Sequence, residues 1–473
     1  MYEPPLNSMQ LEIDFLFRMD STMTTTHIPH RAGWLPADPD VMRRWYQHQI
    51  ENLPIAETPW NDVITEFKNL IENDPEIYMG FSMMFEQLKN DSRPQVCYIC
   101  FSYSIVQWLI HYSVEKAKNY TEMLNIFNEL LHQAPDYATE KDWGGLIAFP
   151  FNVILNYPMA TPAGIALFTH HKVNAMLKKM FSVWAVHLSG KKSRDVLNKT
   201  TGWFSPKGLE ALAVRPFDKP DDKDAEIEFG KAFICDPSDE HYGFGSWDDF
   251  FIRDFRKGIR PVEAFDNNDV IVSACESDVY RIANNVQQRD RFWIKEQPYS
   301  LYHMLNGDPD YAKSFEGGIV YQAFLSAKGY HRWHAPVSGT VQKIVFVPGT
   351  YYSICPNADI DTDAPDKSQP YITQVSTRIL IFIEADNKKI GLMCFIAVGM
   401  SECSTCQVTV QDNEHVDKGD EIGMFHFGGS THCLVFRKEA PLKFVYNEGK
   451  LPYQPDPDQQ PHSNLSRKIA DVL

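Results

Sequence analysis

The chain predicts an α+β protein, with an N-terminal helical domain followed by a β-rich domain. Three observations carry this. Apolar residues recur at helical spacing from about 38 to 190. Beyond about 241 the spacing shortens to that of strands punctuated by Gly, Pro, Asn and Asp. Between them, 216–228 is thick with Asp, Lys and Pro, the composition of a solvated connector. The expected division is a leader at 1–28, a helical domain at 29–215, a linker at 216–240 and a second domain at 241–473.

Taken in order, residues 1–28 are rich in Met and Thr without a period, and read as a flexible leader. Thr58-Pro59 predicts an N-cap with proline at the first helical position. Trp60, Val63, Ile64, Phe67, Leu70 and Ile71 then share one face. Leu177, Met180, Phe181, Trp184 and Leu188 form a second stripe that stops at Gly190, and core packing accounts for these aromatics. The adjacent His170-His171 reads as a helix-surface pair. In the second half, 340–347 ends at Pro348-Gly349, and 378–384 and 390–398 flank a turn at Asp386-Asn387-Lys388-Lys389. The run 416–423 has the turn grammar of a biotinyl- or lipoyl-type sandwich. Lys418 precedes a glycine there in a way such carriers do not use, so this is shared fold grammar and not a carrier site.

Length and composition narrow the function classes. A chain of 473 residues is too long for one ordinary core, and 44% hydrophobic with 23% charged residues is typical of soluble globular proteins. Sixty-two acidic against forty-five basic residues leave a net charge of -17. This argues against nucleic-acid partners and stable docking on anionic lipid. No run approaches the roughly 20 apolar residues of a membrane span. Met1-Tyr2-Glu3-Pro4-Pro5 lacks the pattern of a signal peptide. The expectation is a cytoplasmic protein without stable membrane insertion. Nine cysteines read as reduced thiols. The pairs Cys97/Cys100 and Cys403/Cys406 imitate a zinc site but lack its glycine-rich knuckles, so no metal is expected.

Phe427-Gly428-Gly429-Ser430-Thr431 carries the chemistry. A glycine ahead of a serine lets the backbone bend until the hydroxyl approaches the preceding carbonyl. Attack of Ser430 Oγ on the Gly429 carbonyl would turn the amide into an ester. Elimination and hydrolysis would then leave residue 430 as a pyruvoyl group, a covalent ketone in place of a bound cofactor. By itself the string is weak evidence.

Other segments agree, and over about the last 230 residues the chain resembles the phosphatidylserine decarboxylase family. Tyr330-His331-Arg332-Trp333-His334-Ala335-Pro336 is similar to the family's histidine motif. Tyr242-Gly243-Phe244-Gly245-Ser246-Trp247-Asp248-Asp249-Phe250-Phe251, with Arg253 and Arg260-Pro261, resembles the opening of its catalytic domain. Tyr299-Ser300-Leu301, Pro348-Gly349-Thr350-Tyr351-Tyr352-Ser353 and Lys418-Gly419-Asp420-Glu421-Ile422-Gly423 follow in family order. One departure stands out: Ser273-Ala274-Cys275-Glu276-Ser277 replaces the family's Ser-Pro-x-Asp-Gly. The N-terminal half is similar to that of a fungal subgroup that includes the L-tryptophan decarboxylase of psilocybin biosynthesis, through Gly33-Trp34-Leu35, the Phe168 to Trp184 helix and Lys192-Ser193-Arg194-Asp195-Val196-Leu197.

The resemblance implies that 241–473 is a catalytic domain split between Gly429 and Ser430, leaving 430–473 as a bound fragment. It implies that His334, oriented by Glu276, takes the Ser430 proton during cleavage, while His331 serves decarboxylation. Asp278 is the rival carboxylate, on the same face if the segment is a strand. Thr431 and Gly428 would support the site. His432 either lines the pocket or faces solvent. The pyruvoyl group on residue 430 would form a Schiff base with a substrate amine, without pyridoxal phosphate. Three functions follow: decarboxylation of an amino acid, aromatic and L-tryptophan-like; decarboxylation of phosphatidylserine to phosphatidylethanolamine; or a non-processing binding module. Charge and the fungal-type helical half favour the first. Self-association is left open.

Overall fold

The computed structural model describes residues 39–52, 59–89, 117–137, 146–219, 225–289, 299–355, 368–402, 404–427, 430–446 and 461–473. The expected leader, Gly33-Trp34-Leu35, Cys97, Cys100 and Cys403 lie outside them. Helices take the N-terminal half, because its apolar residues gather on one face of each segment. They are α1 (Pro39–Glu51), α2 (Asp62–Asn73), α3 (Pro75–Lys89), α4 (Tyr120–Leu130), α5 (Pro150–Leu155), α6 (Pro162–Thr169), α7 (His171–Leu188) and α8 (Pro206–Ala211). A ribbon of β1 (Asp136–Tyr137) and β2 (Leu146–Ile147) joins α4 to α5. Proline opens α5, α6 and α8, where its missing N–H costs nothing.

The start of α2 corrects the expected cap. Thr58 lies outside the described residues, and the N-cap is Asn61, whose Oδ1 accepts from the Val63 N–H at 3.1 Å. The amide side chain satisfies an otherwise orphaned donor, while Trp60 is held ahead of the helix by its Nε1 bond to Asn125 at 2.8 Å. The expected stripe is otherwise present, with Val63, Ile64, Phe67 and Ile71 buried. On α7, Leu177, Met180, Phe181, Trp184 and Leu188 are buried, and the helix ends just before Gly190. His170 caps it and stacks on His171 at 4.8 Å.

Two short helices, α9 (Phe229–Ala232) and α10 (Trp247–Phe251), precede the strands. Trp247, Phe250 and Phe251 pack into the core of the helical half, together with Tyr351, Tyr352 and Phe427 from further along the chain. The helical half and the segments flanking residue 430 thus share one core.

The strands are β3 (Val270–Val272), β4 (Ser277–Val286), β5 (Gly318–Leu325), β6 (Arg332–His334), β7 (Gly339–Val347), β8 (Arg378–Ala385), β9 (Leu392–Gly399), β10 (Thr405–Val408), β11 (His415–Val416), β12 (Glu421–His426), β13 (Ser430–Phe436), β14 (Leu442–Phe444), β15 (His462–Ser463) and β16 (Lys468–Val472). An eight-stranded antiparallel sheet runs β11-β7-β8-β9-β13-β5-β4-β15, and two three-stranded sheets run β10-β12-β6 and β14-β16-β3. The expected hairpin of β8 and β9 is formed in register, Arg378 opposite Val398 through Glu384 opposite Leu392.

Strand β13 lies between β9 and β5 in the large sheet, and its side chains alternate between two cores. Leu434 and Phe436 join one with Phe395 and Ile381; Cys433 and Val435 join the other with Leu380 and Phe382. Burying Leu434 and Phe436 fully contributes roughly 1.5–3 kcal/mol each. Lys418 is buried, and its Nζ donates to the carbonyls of Ala264, Asn267 and Val270 at 2.6–3.1 Å. It ties the turn down from inside, unlike a carrier lysine, which must be presented to solvent.

Candidate active site

Ser430 begins β13, paired with Gly399 of β9 on one side and Leu325 of β5 on the other. Its Oγ is buried and, among the described residues, meets no hydrogen-bond partner. Gly428 and Gly429 lie outside the described residues. Phe427, just before them, has φ +75, a left-handed conformation costly for a bulky residue.

The loop after β5 brings the histidine motif back. Arg253, buried beyond α10, ties that loop down by donating to the carbonyls of Lys328 at 2.6 Å and Gly329 at 2.9 Å. His331 follows, fully buried, its ring stacked on Phe251 at 4.0 Å, and among the described residues neither ring nitrogen meets a partner within hydrogen-bonding geometry. Burial, aided by the Arg253 guanidinium, holds its pKa well below the usual imidazole range, although the Gly329 backbone works the other way. A neutral imidazole with a free nitrogen can accept a proton.

His334 differs. The segment is extended, so rings three residues apart point to opposite sides. Nδ1 lies 2.7 Å from the Gly419 carbonyl, which only accepts, so Nδ1 carries the proton and Nε2 accepts from the Tyr330 hydroxyl at 3.0 Å. Burial lowers its pKa against the Gly419 contact.

The expected bond between Glu276 and His334 is not made. Glu276 takes a bidentate pair from Arg260 at 2.6 and 2.8 Å, the Leu465 N–H at 2.9 Å and His462 Nε2 at 3.1 Å. A planar guanidinium fits a carboxylate with two parallel bonds, so it occupies the oxygens that the imidazole of His334 would need. Burial raises the Glu276 pKa, but Arg260 and His462 outweigh it and hold the carboxyl well below its usual range. Asp278, the rival, accepts from His462 Nδ1 at 2.7 Å. Both carboxylates therefore meet on His462, whose pKa burial would depress but Asp278 and Glu276 push up to about 9. No spacing in the chain marked His462.

Thr431 faces the opposite core from Ser430. Its Oγ1 donates to the Ala323 carbonyl and accepts from Gln322 Nε2, both at 3.0 Å, and Gln322 in turn accepts from Tyr299 at 2.6 Å. His432 shares the Ser430 face, fully buried against Phe395 and Tyr321, so it does not face solvent. Burial brings its pKa down to about 3. A second couple, His426 Nδ1 with Asp248 at 3.0 Å, closes α10 onto β12 four residues ahead of Ser430. Asp248 was legible within the opening motif; its partner was not.

Comparison with known proteins settles what these features share. A phosphatidylserine decarboxylase family model matches residues 247–453 and a second model of that description matches 61–212. An L-tryptophan decarboxylase of Psilocybe cubensis is 38% identical over 399 residues, covering 81% of this chain and 82% of the relative. The chain belongs to the phosphatidylserine decarboxylase family. The decarboxylase iboD of Amanita muscaria is 40% identical over 337 residues, 67% of this chain and 94% of the relative. The phosphatidylserine decarboxylase proenzyme of Fusobacterium nucleatum is 29% identical over 254 residues, 50% and 78%. This decarboxylase thus shares with these two fungal decarboxylases a longer stretch than with that phosphatidylserine decarboxylase proenzyme. Among its described residues no helix is long and apolar enough to cross a membrane.

The donor set fits the family's covalent ketone. The buried Ser430 hydroxyl and the two His331 nitrogens have no partner among the described residues, which costs about 1–3 kcal/mol each and leaves them open to a reacting group.

Proposed function

We propose that this chain is a cytoplasmic, self-processing, pyruvoyl-dependent decarboxylase of an aromatic amino acid, L-tryptophan-like, releasing the amine and CO2. The observation that carries the reading is the fully buried Ser430 hydroxyl, without a partner among the described residues, at the head of a central strand in a chain of this family. In self-cleavage Ser430 Oγ adds to the Gly429 carbonyl, the C–N bond breaks and an ester forms. Loss of the Ser430 Cα proton expels the Gly429 carboxylate; water then adds and ammonia leaves, so residue 430 becomes a ketone. That group supplies the electron sink for the pair left when the amino acid loses CO2.

The chain's own residues hold and move protons around it. His331, neutral and without a ring-nitrogen partner among the described residues, would exchange a proton at residue 430. His334 relays through the Tyr330 hydroxyl. Glu276 enters through Arg260 and His462, anchoring the 462–465 segment of the cleaved fragment. Thr431 fixes β13 against Gln322. The substrate class is supported by the L-tryptophan decarboxylase of Psilocybe cubensis, whose likeness spans most of this chain.

The test is purified protein incubated separately with L-tryptophan, L-phenylalanine, L-leucine and phosphatidylserine vesicles. Amine released from an aromatic amino acid without added coenzyme is expected. Phosphatidylethanolamine as the sole product, or activity that requires pyridoxal phosphate, would overturn the reading.

A further inference from the structure

A cavity of about 360 Å3 opens in the helical half. It is bounded by residues of α1, the end of α4 and the segment after it, the last turn of α7 and the 3-10 turn Lys191–Val196. Ser430, His331, His334 and Glu276 take no part in it. Its size falls within the roughly 300–1,000 Å3 of small-molecule sites.

The walls are pinned from behind. Ser193, 1% exposed, accepts the Trp247 N–H on its Oγ at 2.9 Å. The carbonyls of Gln133 and Pro135 accept the indole N–H groups of Trp184 and Trp203, both at 2.8 Å. Such buried bonds set the shape of the cavity before a ligand arrives, so little ordering is left to oppose binding.

The lining carries charge of both signs that the protein leaves unpaired. Lys192 and Asp195 are exposed and Glu129 is half-buried, and among the described residues none of the three enters an ion pair. Gln49 is 7% exposed; its Oε1 accepts from Gln133 Nε2 at 3.4 Å, while its own Nε2 meets no acceptor among the described residues. The rings of His132 and His187 stand edge to face with centroids 6.4 Å apart. Burial, with His132 and Lys192 adding to it, lowers the His187 pKa against the pull of Asp195, so this ring is neutral at pH 7 and offers an aromatic surface.

We propose that this cavity is a second ligand site, taking a zwitterionic amino acid with an aromatic side chain. The ligand's carboxylate meets Lys192 and the Gln49 amide, its ammonium meets Glu129 and Asp195, and its ring lies against the two imidazoles. A simple anion would face two carboxylates and a simple amine would face Lys192, whereas a zwitterion complements both signs. The site stands apart from the decarboxylase reading above, and a failure to bind leaves processing at residue 430 untouched.

The test is equilibrium dialysis of the full chain carrying Ser430→Ala, which can form no ketone, against L-tryptophan, tryptamine and 3-indolepropionate. Each is repeated with Lys192→Gln added, and with Glu129→Gln and Asp195→Asn added together. Saturable binding of L-tryptophan is expected, weakened about fivefold by either addition, as for exposed charge contacts. Tryptamine should weaken only on loss of the two carboxylates, and 3-indolepropionate only on loss of Lys192. Absence of saturable L-tryptophan binding, or binding that neither addition changes, overturns the proposal. L-Tryptophan binding that weakens with one addition alone also overturns it, since the ligand would then be recognised as an ion of one sign.

Discussion

At the scale of single residues, Glu276 is the informative case. Its side chain is 7% exposed and that of Arg260 2%, so removing the charge leaves a buried guanidinium without a counter-ion. Breaking such a pair costs about 3 kcal/mol or more. Glu276→Gln is therefore expected to lower the urea midpoint by a corresponding amount, while the fraction that folds still splits, because His334 is held by Tyr330 and Gly419 instead. A Glu276→Gln chain of wild-type stability that stays uncut would return the carboxylate to the cleavage step. His331→Ala should do the reverse, preserving the fold and losing at least about 100-fold in turnover, a typical share for a proton-transfer group. Turnover within a few-fold of wild type would contradict its role. The motif histidines and Ser430 were legible because their signatures are local in the chain. Their partners were not: Glu276 meets His462 across 186 positions and Asp248 meets His426 across 178, and no local spacing records such contacts.

At the scale of elements, β13 explains how a cleaved chain stays whole. It is bonded along its length to β5 and β9, while β14 and β16 pair with each other and β16 with β3; β15 pairs with β4. The strands beyond residue 430 thus enter two sheets built with strands from before it. After processing the two pieces should co-elute in native size exclusion and separate only in denaturant. Loss of the small fragment under native conditions would contradict this. Apolar, β-branched runs bounded by turn residues made β7, β8 and β9 readable in advance, with the β8–β9 turn in place. The short β6, with its three residues Arg332–His334, was not legible as a strand, since three residues give no period to count. The α2 cap was misplaced for a related reason: Pro59 is a favourable first position, but Asn61 bonds directly to the helix and wins.

At the scale of the whole molecule, Glu402 couples the two halves to pH. Burial pushes its pKa up to about 7, against the pull of its own backbone, Tyr352, Asn152 and Phe151. Tyr352 and Tyr351 are the titratable neighbours on the facing segment, and among the described residues no lysine, arginine or histidine bonds to it. A carboxyl whose folded pKa is raised favours folding when protonated. Its contribution is fully present below the unfolded value near 4.5 and is lost as pH rises through 7. Between pH 5 and 8 the wild type should lose roughly 2 kcal/mol relative to Glu402→Gln, which cannot ionise. Parallel urea titrations at the two pH values measure this, and equal slopes for both proteins would contradict it. The sequence offered no hint, since Glu402 and Phe151 lie 251 positions apart.

On the proposed chemistry, residue 430 ceases to be serine. Intact-mass spectrometry of the purified protein tests it most directly, before and after borohydride. Two pieces are expected, 1–429 and 430–473, the shorter blocked at its N-terminus and gaining two hydrogens on reduction. Fully active protein with one unbroken chain and an unmodified Ser430 would contradict it.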